Sequence, residues 1–160
     1  MQTIADRPTY PNPSLSTARR VDDLIARMTL DEKLAQLTSF WFNDLQDGRD
    51  VLSEQKMRDL LGNGIGQISR VAGSSTLPPL EAARAGNTIQ RFLVGQTRLG
   101  IPAILHEECC SGYLGLGGTL FPQMIGLAST WNPGLAEQMT DVIRRQMLAV
   151  GLSGDLVYPV

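Results

Sequence analysis

The sequence predicts an α/β fold with parallel strands. Apolar residues recur at helical spacing in several separate segments, and two short runs, 64–71 and 101–105, have the length and composition of strands. The order is helices first, then strand, helix, strand, helix, strand, which is the rhythm of strands joined by helical crossovers.

The composition fits one domain, or part of one. The chain has 160 residues, 42% of them apolar and 19% charged, as in ordinary globular proteins. Its 14 basic and 16 acidic residues nearly cancel and are scattered, so neither a nucleic acid nor an anionic membrane is expected as a partner. No apolar run approaches the roughly 18 residues needed to span a bilayer.

The chain opens on MQTIADRPTYPNPSLS, and residues 1–15 read as a Pro- and Asn-rich lead-in extended along a surface. It has no apolar h-region, so no signal peptide is expected. The only two cysteines are adjacent, and neighbouring residues pair only with strain. Reduced thiols and a cytoplasmic location are the expectation.

Organised structure begins near Ser16, and the domain is read as 16–160. Val21, Leu24, Ile25 and Met28 form the stripe of a first helix. Thr29 and Glu32 have capping-box spacing and start a second, with Leu34 and Leu37 as its anchors. A third runs from Ser53 to Leu61 and closes at Gly62. GIGQISRV (64–71) is then a strand. Pro78 and Pro79 open a helix whose stripe is Ala82, Ala85, Ile89, Phe92 and Leu93. IPAIL (101–105) is continuously apolar, as in a strand buried on both faces. Asn132-Pro133 caps a last helix carrying Ala136, Met139, Ile143, Met147 and Val150, which Gly151 stops. DLVYPV closes the chain as a third strand. Three strands do not close a barrel, and the last is followed by no helix to cover it, so the architecture reads as cut off.

The chemistry concentrates in ILHEECCSGY (104–113), which holds the only histidine, both cysteines and adjacent glutamates. Successive side chains on a strand point to opposite faces. His106 and Glu108 then share one face, Glu107 and Cys109 the other. A zinc site is disfavoured, because no second histidine and no C-x-x-C or H-E-x-x-H spacing exists. A cysteine nucleophile is disfavoured because His106 faces away from Cys109, and buried cysteine is more often a small hydrophobe. Glu107 and Glu108 cannot both flank one glycosidic bond, so they are not a catalytic pair. Two readings of Glu108 stay open on these residues alone. It is either a ligand clamp at a strand end, suited to the neighbouring hydroxyls of a sugar, or a carboxylate that caps a loop amide or pairs with an arginine.

Several stretches together carry a resemblance. RVDDLIARMTLDEKLAQL (20–37), GIGQI (64–68), RLGIPAILHEECCSGY (98–113) and TLFPQMIGLASTWNPGLAEQM (119–139) resemble, in that order, the N-terminal part of glycoside hydrolase family 3. These are β-glucosidases, β-xylosidases and related exo-acting β-glycosidases. The resemblance covers about residues 16–151. It implies the first strands, about three, of a (β/α)8 TIM-type barrel, incomplete in this chain. It also implies a retaining double displacement on terminal β-linked sugars without metal or cofactor.

The family's short acidic motif after this strand binds the non-reducing sugar in the first subsite. It is usually D-A-x-H-G in glucosidases and often E-A-L-H-G in xylosidases. Here Glu108-Cys109-Cys110-Ser111-Gly112 takes that place, which gives Glu108 the sugar-binding role. Ser111 replaces the usual histidine, so no contact is carried over from that position. The longer Glu crowds the space for a C6 hydroxymethyl and leans the reading towards pentosides. One methylene discriminates by only about 1–3 kcal/mol, so glucosides stay open. The family's nucleophile, an Asp in an S-D-W-like motif, and its acid/base have no counterpart here. Asp155 lies in a stretch that matches only with an extra residue and is not assigned. No catalytic residue is named and the chain alone is expected to be inactive. The alternative is a non-catalytic carbohydrate-binding or assembly module.

The remaining candidates receive plainer expectations. Trp41 and Phe42 are expected in the core, and Trp131 is expected to pack the start of the last helix. Arg70 is expected to be solvated or salt-bridged, with the site mouth as the alternative. His106 either orients Glu108 or touches a sugar hydroxyl, or else supports the site through a hydrogen bond of its own.

Overall fold

A computed structural model describes residues 8–152 in full and 154–156 as backbone. Among the described residues, four parallel strands form one sheet: β1 (Ser39–Trp41), β2 (Gln67–Ser69), β3 (Ile104–Glu108) and β4 (Gly154–Leu156). They lie in sequence order with no reversal. A doubly wound sheet reverses its strand order at a switch point, so this sheet winds one way, as a barrel does. The α/β expectation is met with one strand more than the sequence revealed, but β3 runs over Ile104–Glu108 rather than 101–105, and with Ile104 exposed it is not buried on both faces. β1 spans three residues between a helix and a 3-10 turn, Phe42–Leu45, too short for its alternation to register. The closing strand begins at Gly154, and residues 157–160 of the expected DLVYPV strand lie outside the described residues.

Six α-helices accompany the sheet among the described residues: α1 (Thr17–Arg27), α2 (Leu30–Gln36), α3 (Glu54–Leu61), α4 (Pro79–Gln96), α5 (Met124–Ala128) and α6 (Pro133–Ala149). Their starts follow the sequence signals. Ser16, Thr29 and Ser53 each accept a backbone N–H at an N-cap, and Thr29 with Glu32 completes the reciprocal capping box. α6 starts at Asn132, whose side chain accepts the Gly134 amide at 3.0 Å, with Pro133 in the first turn. None of these helices is long and apolar enough to cross a membrane. Only α5, a single short turn, was not anticipated.

The core lies between the sheet and α3, α4 and α6. Ile68 and Leu105 point to it from β2 and β3, and Ile89, Leu93, Ile143 and Met147 meet them from the helices. Gly86 lets α4 approach closely: a Cβ there would stand 3.0 Å from Leu105 Cδ1.

α2 is held in a different way from the one expected. Leu37 is 87% exposed and Leu34 is half-exposed, so neither anchors it. The buried Glu32 instead pairs with Arg98, across 66 residues of chain. The helix end also docks backbone to backbone, with the Gly66 amide donating to the Ala35 carbonyl at 3.0 Å. A Cβ at Gly66 would come within 2.1 Å of the Gln36 carbonyl oxygen, so only glycine fits there. Polar contacts and a glycine replace the apolar anchor because α2 touches a strand entrance rather than a sheet face.

Residues 8–15 form turns tied to the rest of the chain. Thr9 and Tyr10 amides donate to Asp23, and the Tyr10 hydroxyl donates to the Leu99 carbonyl at 2.7 Å.

Candidate functional site

Register fixes which side chains share a face. Ser39, Gln67 and Ile104 are partners across β1–β3, as are Phe40, Ile68 and Leu105, and then Trp41, Ser69 and His106. The middle row packs against the helices. The other two rows lie on the opposite face, where Ser39, Gln67 and Ile104 are all exposed. Two residues beyond Ile104 comes His106, and two beyond that Glu108, so both lie on the open face as the alternation requires.

The C-terminal end of this face gathers five side chains. Ser69 Oγ and His106 Nε2 share a buried hydrogen bond of 2.9 Å. His106 Nδ1 is buried and has no hydrogen-bond partner among the described residues. Burial lowers the pKa of His106 and favours its neutral form, against an opposing pull from Glu108. Glu108 is partly buried, with Arg70 Nη1 3.5 Å from its Oε2. The Arg70 guanidinium lies over the Trp41 ring, 5.3 Å from its centroid. Trp41 is therefore not a core residue: it is 46% exposed on the open face, whereas Phe42, the next residue, is buried as expected. The strand alternation separates the two.

Arg70 is both salt-bridged and at the site, because β2 ends beside β3 and the Arg70 backbone turns left-handed there, at φ 58°. Its amide donates to the His106 carbonyl at 2.8 Å, which sets the loop after β2 against β3. The side chain of His106 is thus hydrogen-bonded to Ser69 rather than to Glu108.

Glu107 has the opposite surroundings. It is fully buried among the loops that follow β2 and β3. Its Oε1 accepts the Ala72 amide at 2.7 Å, and both oxygens lie within 3.3 Å of the Gly73 amide. Burial raises its pKa, and the two amides and Arg70 partly offset that rise. The neighbouring Tyr113 hydroxyl is pushed up to about 12 by burial, with Glu107 adding to the effect. Cys109 is buried with its sulfur 3.1 Å from Met147 Sδ, which makes it a packing residue. Ser111 contributes its carbonyl to the Phe121 amide at 2.8 Å and so helps fold the loop after β3.

Two further features lie apart from this cluster. Among the described residues, no three His, Cys, Asp or Glu side chains converge where a metal ion could be held. A groove of about 410 Å³ between α5 and α6, lined by Met124, Leu127 and Trp131, contains none of the strand-end residues. Trp131 does not pack the start of α6. It is 92% exposed, because the backbone turns left-handed at φ 53° just before the Asn132 cap and directs the ring outward.

Of the residues at the strand ends, Ser69, Glu107 and the site-facing Trp41 were missed in the sequence. Ser69 was findable as the polar residue two beyond Gln67 on one face of QIS. Nothing local marks Glu107 as the holder of a loop 34 residues away.

The chain has clear relatives. The model of the glycosyl hydrolase family 3 N-terminal domain matches residues 29–160. A protein of Formosa agariphila named "Putative beta-xylosidase" is 29% identical over 154 residues, covering 94% of this chain and 20% of that one. β-Glucosidase C of Emericella nidulans is 31% identical over 159 residues, covering 93% and 25%. The solved structure of a β-glucosidase from Erythrobacter marinus matches with a TM-score of 0.76 and 31% identity, over 92% of this chain and 19% of that one. The chain therefore spans about a fifth to a quarter of the length of these relatives. Its one-way parallel sheet is an open, partial portion of a barrel-type domain, with the helices on one face and the other face uncovered among the described residues. On the match over residues 29–160, together with this sheet, the chain belongs to glycosyl hydrolase family 3 and carries part of its N-terminal domain.

Proposed function

We propose that this chain supplies the sugar clamp of an exo-acting, retaining β-glycosidase. Glu108 accepts two neighbouring hydroxyls of a terminal β-linked sugar, and His106 and Ser69 form the floor beside it. One observation carries the reading: among the described side chains of β1–β3, Glu108 is the single carboxylate on the open face, and it stands at the C-terminal strand end. Barrel enzymes bind substrate at that end. The 3.5 Å approach of Arg70 to one oxygen is longer than a hydrogen bond, and the carboxylate retains acceptor capacity for sugar hydroxyls. Each charge-assisted hydroxyl bond is worth roughly 1.5–3 kcal/mol.

Hydrolysis in this proposal is a double displacement between two carboxyl groups that the chain's own motifs do not supply, without metal or cofactor. A β-xyloside is favoured over a β-glucoside by the length of the Glu108 side chain. A cytoplasmic location belongs to the same proposal and rests on the adjacent cysteines alone. The second reading is a non-catalytic sugar-binding or assembly module, which would use the same Glu108 carboxylate on the open face.

The test is titration of the 160-residue protein with xylose and with glucose, read by amide NMR, beside Glu108→Ala. Shifts at His106, Ser69 and Glu108 that vanish in the variant support the clamp. The proposal fails if neither sugar moves these signals. Turnover of nitrophenyl β-xyloside above the Glu108→Ala control would show that the chain holds its own nucleophile, and would overturn its role as a clamp alone.

A further inference from the structure

We infer that Glu107 is a positioning residue: through the loop after β2 it sets Arg70 against Glu108 and Trp41. The inference deepens the sugar-clamp reading of Glu108 and rests on it only for its sugar-binding arm.

The geometry of residues 70–75 carries the argument. This segment makes a tight turn in which the Ser74 amide donates to the Arg70 carbonyl at 3.1 Å, and the Ser75 amide to that of Ala72 at the same distance. The Ser74 hydroxyl adds a 2.6 Å bond to the Arg70 carbonyl. The turn begins with Arg70 in the left-handed region, which a side-chain-bearing residue holds only when its surroundings over-determine it. Two of the turn's amides, those of Ala72 and Gly73, point inward and would be orphaned there. Among the described residues, Glu107 alone accepts both from below. A buried N–H without an acceptor is destabilising, so the carboxylate and the turn hold each other in place.

The same turn aims the arginine. Arg70 Nη2 donates to the Gly73 carbonyl at 3.2 Å, so the residue whose amide Glu107 holds also holds the guanidinium. Arg70 Nε is buried with no hydrogen-bond partner among the described residues, and the guanidinium is placed by the turn, the Trp41 ring and Glu108. Fit at the turn is close: a Cβ at Gly73 would stand 2.7 Å from Glu107 Oε2 and 3.2 Å from Arg70 Nε. The adjacent glutamates thus divide the work. Glu107 grips the turn from the buried face, and Glu108 meets the turn's arginine on the open face.

The test uses the 160-residue protein and three variants. Glu107→Met keeps the volume and removes both acceptor oxygens. Glu107→Gln keeps one acceptor. Gly73→Ala leaves Glu107 intact and pushes the turn away from it, so it remains informative if Glu107→Met does not fold. Hydrogen exchange at Ala72 and Gly73 should rise at least roughly tenfold in Glu107→Met and in Gly73→Ala, and less in Glu107→Gln. The Arg70 Nε–H signal should shift and sharpen towards that of a free arginine, while exchange at Ile68 and Ser69 stays as it is. An Arg70 signal unchanged in both Glu107→Met and Gly73→Ala overturns the inference whatever the chain does with sugar.

The sugar arm is a double-mutant cycle on xylose affinity. Glu107→Gln should weaken binding several-fold in the native background and not at all in Arg70→Ala, because Glu107 acts through that arginine. Equal losses in both backgrounds would mean that Glu107 is merely structural. If the native protein binds no sugar, the clamp reading fails while the exchange and Arg70 signals still decide the role of Glu107.

Discussion

The two faces of the sheet share strands, backbone bonds and neighbours, yet they differ in nearly every other respect. On the helix face, Ile68 and Leu105 are buried against α4 and its neighbours. On the open face, the residues one step along the same strands are Gln67 and Ile104, both exposed, followed by Ser69, His106 and Glu108. Ile104 is 51% exposed and Leu105 is buried, although they are adjacent and similar in size. The period-2 alternation of strands splits one segment between stability and function. A barrel strand then reads as a continuous apolar run only where both of its faces are covered.

The largest effect expected from that contrast is at the two aliphatic neighbours. Leu105→Ala should lower unfolding free energy by about 3 kcal/mol, through lost burial and the cavity left beside Gly86. Ile104→Ala should stay within about 0.5 kcal/mol. Urea unfolding of both proteins checks this, and equal losses would mean that the open face is already part of a packed interior.

A somewhat smaller loss is expected at Gly66, on the helix side of the entrance to β2. Its Cβ position is occupied by the Gln36 carbonyl, so Gly66→Ala must move backbone, at about 2 kcal/mol. Full stability in that variant would show that the docking of α2 on β2 is loose.

Arg98→Ala probes the polar anchor that replaces an apolar one in α2. It leaves the buried Glu32 with its capping amide alone, and stability should fall by less than at Gly66, because the arginine is largely exposed and its ion pair is screened by solvent. Arg98 holds the Glu32 carboxyl below its ordinary pKa, so this contribution is present above about pH 4.3 and lost as pH falls through the folded value. Wild type and Arg98→Ala should therefore converge in stability on the acid side. A constant gap across pH 7 to 3 would remove the ion pair from the account.

The smallest effect sharpens the open face. His106 is the only histidine, and burial lowers its pKa in the fold. The stability it contributes is present above its unfolded pKa of about 6.5 and lost as pH falls through the folded value. Urea midpoints at pH 7 and pH 5 should thus differ more in wild type than in His106→Gln. The same difference in both proteins would place the acid sensitivity elsewhere.

Much of the fold is legible in the sequence. Caps at Ser16, Thr29, Ser53 and Asn132 are local chemistry, in which a side chain bonds an amide two or three residues away. The stripes of α4 and α6 are periodic over four turns or more, so their buried faces are readable. Placing His106 and Glu108 on one face and Glu107 on the other needs only the strand period. Leu34 and Leu37 mislead because an apolar residue at the right spacing still needs something to pack against. Trp41 is misplaced because a three-residue strand shows too little alternation to distinguish it from Phe42.

The sequence by itself determined the capped helix starts, the parallel α/β order, the family and the shared face of His106 and Glu108, all of which follow from short-range spacing or from motif identity. The tertiary structure alone decided which apolar residues are covered, that Arg70 reaches Glu108 and Trp41, and that Glu107 holds the turn at Ala72 and Gly73. Those contacts join strands and loops that are distant in the chain, and no local pattern encodes where two distant segments meet in register.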